Sequence, residues 1–291
     1  DVTVNLDFLS SQSDGWAVTE YVDAEGTGVE SNPTEVAVSD YRVEAGDSRT
    51  LSLGASGGAA MRLRPADSSG VTIASFDDVS GDDDGPGAYA YPTDASFQDG
   101  AFDLRGFEVS ETASTYEFTF EVANLYDAYD SGNFSPHLFT VWLRDPTASG
   151  GRTTELGDLS VTADFDAAWQ YRIAASGYDQ HVTDASGNEV GAPTLVVDRG
   201  ANTATVSVDK ATLSDVDVPT GEVVPVVGSE DYGAFRNVRK DATQWQFGGA
   251  KSGAADDAPR VIDLVTPTGT TQRDALAYDA GSLATLPFRS L

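Results

Sequence analysis

Cysteine is absent from the 291 residues, which excludes disulfides, thiolate metal sites and thiol nucleophiles together. Lysine is nearly absent too: Lys210, Lys240 and Lys251 join 14 Arg against 34 Asp and 13 Glu. Phosphate recognition needs clustered cations, so nucleic acid is not expected as a partner. No apolar run approaches the ~20 residues of a bilayer-crossing helix, so no transmembrane segment is expected. Histidine is limited to His137 and His181. Gly54-Ala55-Ser56-Gly57-Gly58 has the spacing of a nucleophile elbow, but strand-like runs flank it and no histidine partner is implied; it reads as a hairpin turn. The stretch 248–252 lacks the loop length and the Gly-Lys step of a phosphate-binding loop. The chain opens at Asp1 and its one methionine is Met61, so it reads as a processed or excised product.

What is abundant is negative charge, −30 at neutral pH with a pI near 4.1, spread over the whole length. In dilute buffer such self-repulsion opposes a compact state, whereas in molar salt the Debye length falls to ~3 Å and most of the penalty disappears. This is the composition of a protein from a salt-saturated medium, such as that of a halophilic archaeon; calcium loading and a basic partner are the rival explanations. Hydrophobic residues at 40% and aromatics at 10% leave enough apolar mass for a sizeable core.

The periodicity is that of strands. Val2, Val4, Leu6 and Phe8 alternate with polar residues, as do Tyr116, Phe118, Phe120 and Val122, and the same pattern recurs over 204–208. Apolar runs fill 138–143, 194–197, 223–227 and 261–264, with Gly-containing turn signals between them. One short helix is expected over 271–279, opened by Thr271 and closed by Gly281. These features predict an all-β chain: an antiparallel β-sandwich over 71–291 preceded by a small β-module, or the tail of a larger β-domain, over 1–68. The small-polar stretch 65–70 marks the boundary.

Two groups of residues point to binding. Asp78, Asp82, Asp83 and Asp84 cluster around Gly81 and Gly85, with Asp103 available from the next strand. Hard oxygen donors on a tight loop suit Ca²⁺, although a solvated acidic turn has the same appearance. Tyr89 and Tyr91 follow that loop. Tyr126, Tyr129 and Phe134 stand in one polar stretch, and Tyr232 and Phe235 in another. Exposed rings beside Asp and Asn are the chemistry of stacking on sugar faces, and Tyr129, Phe134 and Tyr232 are the candidate contacts. Trp142, Trp169 and Trp245 neighbour strand-like runs and are expected in the core. Asn133-Phe134-Ser135 is also a glycosylation sequon, a role for Asn133 that competes with direct sugar binding there.

Residues 78–92 (DVSGDDDGPGAYAYP), continued by 97–109 (FQDGAFDLRGFEV), resemble the opening of the glucodextranase C-terminal domain family. Blocks at 133–135, 168–173, 227–233, 245–249 and 261–264, then Thr271-Gln272 and Tyr278-Asp279, extend the resemblance in order over about 71–291. It implies a β-sandwich related to DOMON-like and family 9 carbohydrate-binding modules, non-catalytic and appended to secreted glucan-degrading enzymes. By position it carries metal ligation onto Asp78, Asp82, Asp83 and Asp103. Where the family tends to have a Trp, this sequence has Tyr129-Asp130. Within 1–65, the stretches 43–53 and 57–65 resemble the terminal hairpin of domains that close many glycoside hydrolases.

The expectation is therefore a non-catalytic, extracellular or cell-surface module, calcium-stabilised, whose partner is an α-glucan or a cell-envelope glycan. The alternative is a structural subunit of a surface layer or filament that self-assembles by donating its leading strand. An enzyme using carboxylates that cannot be singled out is the third reading.

Overall fold

The computed structural model describes residues 2–9, 15–23, 36–51, 53, 58–65, 70–157 and 160–291. The chain divides into two compact units, Asp1–Ser69 and Gly70–Leu291. Most of the 54–58 glycine turn, and residues 66–69 of the boundary stretch, lie outside the described residues.

The first unit holds β1 (Val2–Asn5), β2 (Trp16–Asp23), β3 (Val36–Val43), β4 (Ser48–Leu51) and β5 (Ala59–Pro65). β2 is the centre of a three-stranded antiparallel sheet between β3 and β5, and β1 pairs with β4. Leu6, Val18 and Val43 form its small core. Buried Glu20 of β2 is paired at 2.9 Å with Arg49 of β4, which ties the β1–β4 pair to the three-stranded sheet. The leading strand is shorter than the alternation predicted. The amide of Asp7 turns back to Asn5 Oδ1 at 3.2 Å, so Leu6 points into the core while Phe8 is 68% exposed.

The second unit is the β-sandwich. One sheet runs in the order β15 (Thr194–Asp198), β16 (Thr203–Asp209), β8 (Thr115–Val122), β7 (Leu104–Glu111), β6 (Val71–Asp77), antiparallel throughout. Phe118, Phe120 and Val122 of β8 are buried and Glu117, Thr119 and Glu121 face outward, the period-2 signature of a half-buried strand. The facing sheet runs β14 (Glu189–Gly191), β13 (Gln180–Asp184), β12 (Tyr171–Ser176), β9 (His137–Arg144), β17 (Glu222–Asp231). The short strands β18 (Ala234–Phe235), β19 (Asp263–Leu264) and β21 (Arg289–Ser290) also pair with β17.

β9 is central and covered on both faces, which is why it reads as a continuous apolar run. Toward the first sheet Phe139 stacks on Phe120 at 5.0 Å between ring centroids. Away from it Trp142 meets Phe165 at 5.0 Å. Phe165 belongs to a third layer, β10 (Arg152–Thr154), β11 (Ala163–Trp169) and β20 (Ala284–Leu286), in which β11 and β20 are parallel. The helix expected over 271–279 is a single turn, α1 (Gln272–Ala275), with Thr271 as its N-cap. It stops there because Leu276 and Tyr278 are both drawn into the core, a spacing that no continuing helix provides.

Candidate functional site: an aromatic cleft and an acidic cluster

Four connecting segments at one end of the second sheet surround a cleft of about 820 Å³. The turn between β12 and β13 brings Tyr178 and Asp179. The segment between β8 and β9 brings Tyr129. The strand β17 ends in Glu230 and Asp231, and the hairpin to β18 carries Tyr232. Trp245 and Gln246, from the loop after β18, complete the wall.

The hairpin is a two-residue turn, since Asp231 pairs with Ala234 and only Tyr232 and Gly233 lie between. Both have positive φ, +55° and +83°, the type I′ geometry for which Asn-Gly is the preferred sequence. A tyrosine there is strained, and its ring is fully exposed. Glu230 braces the turn by accepting the Gly233 amide at 2.6 Å. Buried Arg236 locks the base. Its Nε donates to Ser229 Oγ at 3.0 Å, its Nη2 to the Glu230 carbonyl at 2.6 Å and its Nη1 to the Trp245 carbonyl at 3.0 Å. That Nη1 also lies 3.1 Å from the Asp231 carboxylate.

On the opposite side the 127–135 loop is pinned by one carboxylate. Asp127 accepts from the Ser131 amide, the Gly132 amide and Ser135 Oγ at 3.0, 2.9 and 2.7 Å. Desolvation works to raise its pKa, but these hydrogen bonds outweigh it and draw it down to about 2. Tyr129 is held by its amide on Ser135 Oγ and by its hydroxyl against Ser96 Oγ, each at 2.9 Å.

The cleft thus unites Tyr129 and Tyr232 with two rings outside the candidate sugar contacts, Tyr178 and Trp245. Trp245 corrects its expected place in the core: it is 43% exposed, touching Phe97 edge-on at 6.2 Å, whereas Trp142 and Trp169 are wholly buried. Phe134 is a second correction. It is a fully buried core ring against Phe139 at 5.2 Å and cannot stack on a ligand. The cause is local: Ser131 Oγ donates to the Phe134 carbonyl, and Gly177 passes so close that a Cβ there would lie 1.8 Å from that oxygen, turning the chain inward. Asn133 is half-buried with its Nδ2 donated to the Gly177 carbonyl at 3.0 Å. Tyr89 and Phe235 are also buried, while Tyr126 is half-buried and bonds the Ser96 carbonyl at 2.8 Å.

The acidic cluster is built differently from the loop alone. Carboxylate oxygens of Asp78, Asp82 and Asp263 lie within 4.8 Å of one another. Asp78 follows β6, Asp82 sits on the loop, and Asp263 enters from β19, wholly buried, with its oxygens on the amides of Leu104 and Leu264 at 2.8 and 2.7 Å. Gln272 stitches the rear, donating to the carbonyls of Asp82 and Gly85 and accepting from the Leu264 amide. Burial, reinforced by the charges of Asp82 and Asp103, pushes the Asp78 carboxyl up to about 7. Burial, with the charges of Asp103, Asp84 and Asp83, raises Asp82 to about 6, and burial with the charges of Asp78 and Asp82 moves Asp263 upward as well. One oxygen each of Asp78 and Asp82 is buried without a hydrogen-bond partner. The two other sequence candidates are engaged elsewhere: Asp83 accepts from the Tyr91 hydroxyl, and Asp103 pairs with Arg105 at 2.9 Å and accepts from the Gly81 amide at 3.1 Å.

A search among curated proteins returned no match. The family of C-terminal, SLH-like binding modules of glucodextranase matches residues 73–288, the sandwich that carries both the cleft and the acidic cluster, and the chain belongs to that family.

Proposed function

We propose that the cleft is a carbohydrate-binding site and that the chain serves as a non-catalytic, extracellular module holding an α-glucan or a cell-envelope glycan. The observation that carries this reading is the set of rings from Tyr129, Tyr178, Tyr232 and Trp245 around one cleft, with carboxylates between them. Aromatic faces stack on the C–H faces of sugars, and carboxylates accept hydrogen bonds from their hydroxyls. Membership of a family of binding modules supports the same reading. Tryptophan fluorescence titrated with dextran, pullulan and starch tests it. Trp245 is 43% exposed while Trp142 and Trp169 are buried, so a saturable shift that disappears in Trp245→Ala is expected. No shift with any of the three glucans overturns the assignment. The strand-exchange alternative has less behind it, because Val2–Asn5 is already hydrogen-bonded along Ser48–Leu51.

The acidic cluster is read as a Ca²⁺ site held by Asp78, Asp82 and Asp263. Calcium bonds oxygen at 2.3–2.6 Å, so one ion spans donors that lie within 4.8 Å of one another, and the buried unpartnered oxygens suit that use. When bound, the ion supplies positive charge that cancels the mutual repulsion of the three carboxylates. Chelation is expected to lower the melting temperature, and a curve unmoved by excess EDTA refutes the assignment.

A further inference from the structure

The ring of charge around the cleft carries more than the presence of a ligand. Asp179, Glu230 and Asp231 all line it, and the Asp179 side chain is 82% exposed. Arg236 is the single cation among the described lining residues. Its nitrogens are committed to Ser229, to the carbonyls of Glu230 and Trp245, and to Asp231. No guanidinium face is left for a carboxylate, sulfate or phosphate on a ligand. The negative field is felt inside the cleft, where desolvation and the charges of Glu230 and Asp127 together hold the Tyr178 hydroxyl above its ordinary pKa.

We infer that the cleft discriminates by charge: it takes uncharged polysaccharide and rejects polymers bearing uronate, sulfate or phosphate groups. This rests on the cleft being a glycan site. The carboxylates play two parts. Toward a neutral sugar each is an acceptor for hydroxyl hydrogens; toward an acidic one each is a like charge at close range. Repulsion of one ligand anion by one carboxylate across ~6 Å, at an effective dielectric near 40, corresponds to about a tenfold loss of affinity. Asp231 is offset by Arg236, which leaves Asp179 and Glu230 uncompensated, and a preference of at least about tenfold for the neutral polymer is expected at ~0.1 M salt, where the Debye length is ~10 Å.

The experiment compares dextran with carboxymethyl-dextran of matched length by fluorescence titration or calorimetry, on the full chain at ~0.1 M salt. The expected result is saturable binding of dextran, lost in Trp245→Ala, and binding of the carboxymethyl derivative at least about tenfold weaker. Asp179→Asn together with Glu230→Gln is expected to narrow that ratio several-fold; the Gln at 230 keeps an acceptor for the Gly233 amide. Equal or tighter binding of carboxymethyl-dextran overturns the charge filter while leaving the glycan site standing. Binding of neither polymer overturns both. A ratio unmoved by the double variant also overturns the inference, since the discrimination would then originate outside the cleft.

Discussion

The sharpest consequence of the acidic cluster concerns Asp78→Asn. Asp78 is paired with Asp263 through a shared hydrogen bond, and one of its oxygens is buried with no partner. That bond favours the Asp78 carboxylate, so Asp263 is its donor; an asparagine at 78 is isosteric, keeps an oxygen to accept it and carries no charge to bury. The sign follows from the raised pKa. A carboxyl at about 7 in the folded chain, against 3.8 when exposed, binds protons more tightly folded than unfolded. It therefore adds no penalty below pH 3.8, and loses stability as pH rises from there to 7. At pH 8 without calcium the ceiling is about 4 kcal/mol, at 1.36 kcal/mol per unit, and more than half of it accrues between pH 5 and pH 8. Asp82 and Asp263 remain acidic in the variant, so a gain of ~2 kcal/mol is the working expectation, or roughly 4–8 °C in a sandwich of this size. Thermal melts of both proteins in EDTA should show the variant more stable at pH 8, with the gap closing toward pH 5. Calcium should then raise the wild-type melting temperature and leave the variant nearly unmoved. Destabilisation of the variant at pH 8 in EDTA, or an undiminished calcium response, would refute the reasoning.

Tyr232→Asn should act in two directions at once. Relief of the left-handed strain at +55° is expected to stabilise the chain by about 1 kcal/mol in denaturant melts, while loss of the ring weakens glucan binding; a variant that is less stable counts against the strain. His137 is wholly buried among aromatic rings, and desolvation lowers its pKa to about 4. The unfolded chain therefore takes up its proton first, and up to about 3 kcal/mol of stability is lost as pH falls from 6.5 to 4. An NMR titration of the ring that places its midpoint near 6 overturns this. Ser207→Glu sets a carboxylate opposite Glu117 on the outer face of the first sheet. It should cost ~0.2–1 kcal/mol in dilute buffer and almost nothing in molar salt, as equilibrium melts at two salt concentrations would show.

The strands were legible where burial has a simple period. β8 alternates because one face is dry, and β9 is uniformly apolar because two layers cover it. The cleft was legible only in part. Trp245 and Phe247 share the i, i+2 parity of a strand, yet Phe247 is buried and Trp245 is not. The Thr243 amide closes a turn onto the Gln246 carbonyl at 3.0 Å, which breaks the alternation between them. Phe134 failed for the opposite reason: its inward turn depends on Gly177, 43 residues away, and only the fold brings the two together. Asp263 does carry a sequence signal, a lone charge inside the apolar run 261–264. Its place beside Asp78 and Asp82 follows from the pairing of β19 with β17 and from the Leu104 amide, 159 positions away.

The charge itself is arranged by the fold. Among the registered strand pairs of the described residues, no two acids stand directly opposite one another. Glu108 faces Ser75 and Thr119, Glu117 faces Ser110 and Ser207, and Glu121 faces Gly106 and Thr203. Like charges in opposed positions destabilise a sheet, and Ser or Thr between acids keeps the outer face polar without that repulsion. Other acids are fixed in turns. Asp145, Asp184 and Asp198 each accept backbone amides two to four residues ahead, the local bonding that Asp offers a tight loop. These carboxylates have a short-range structural use that salt barely screens. The repulsion that salt relieves must then come from strand-face acids that are not opposed in register, acting at longer range, where screening is most effective.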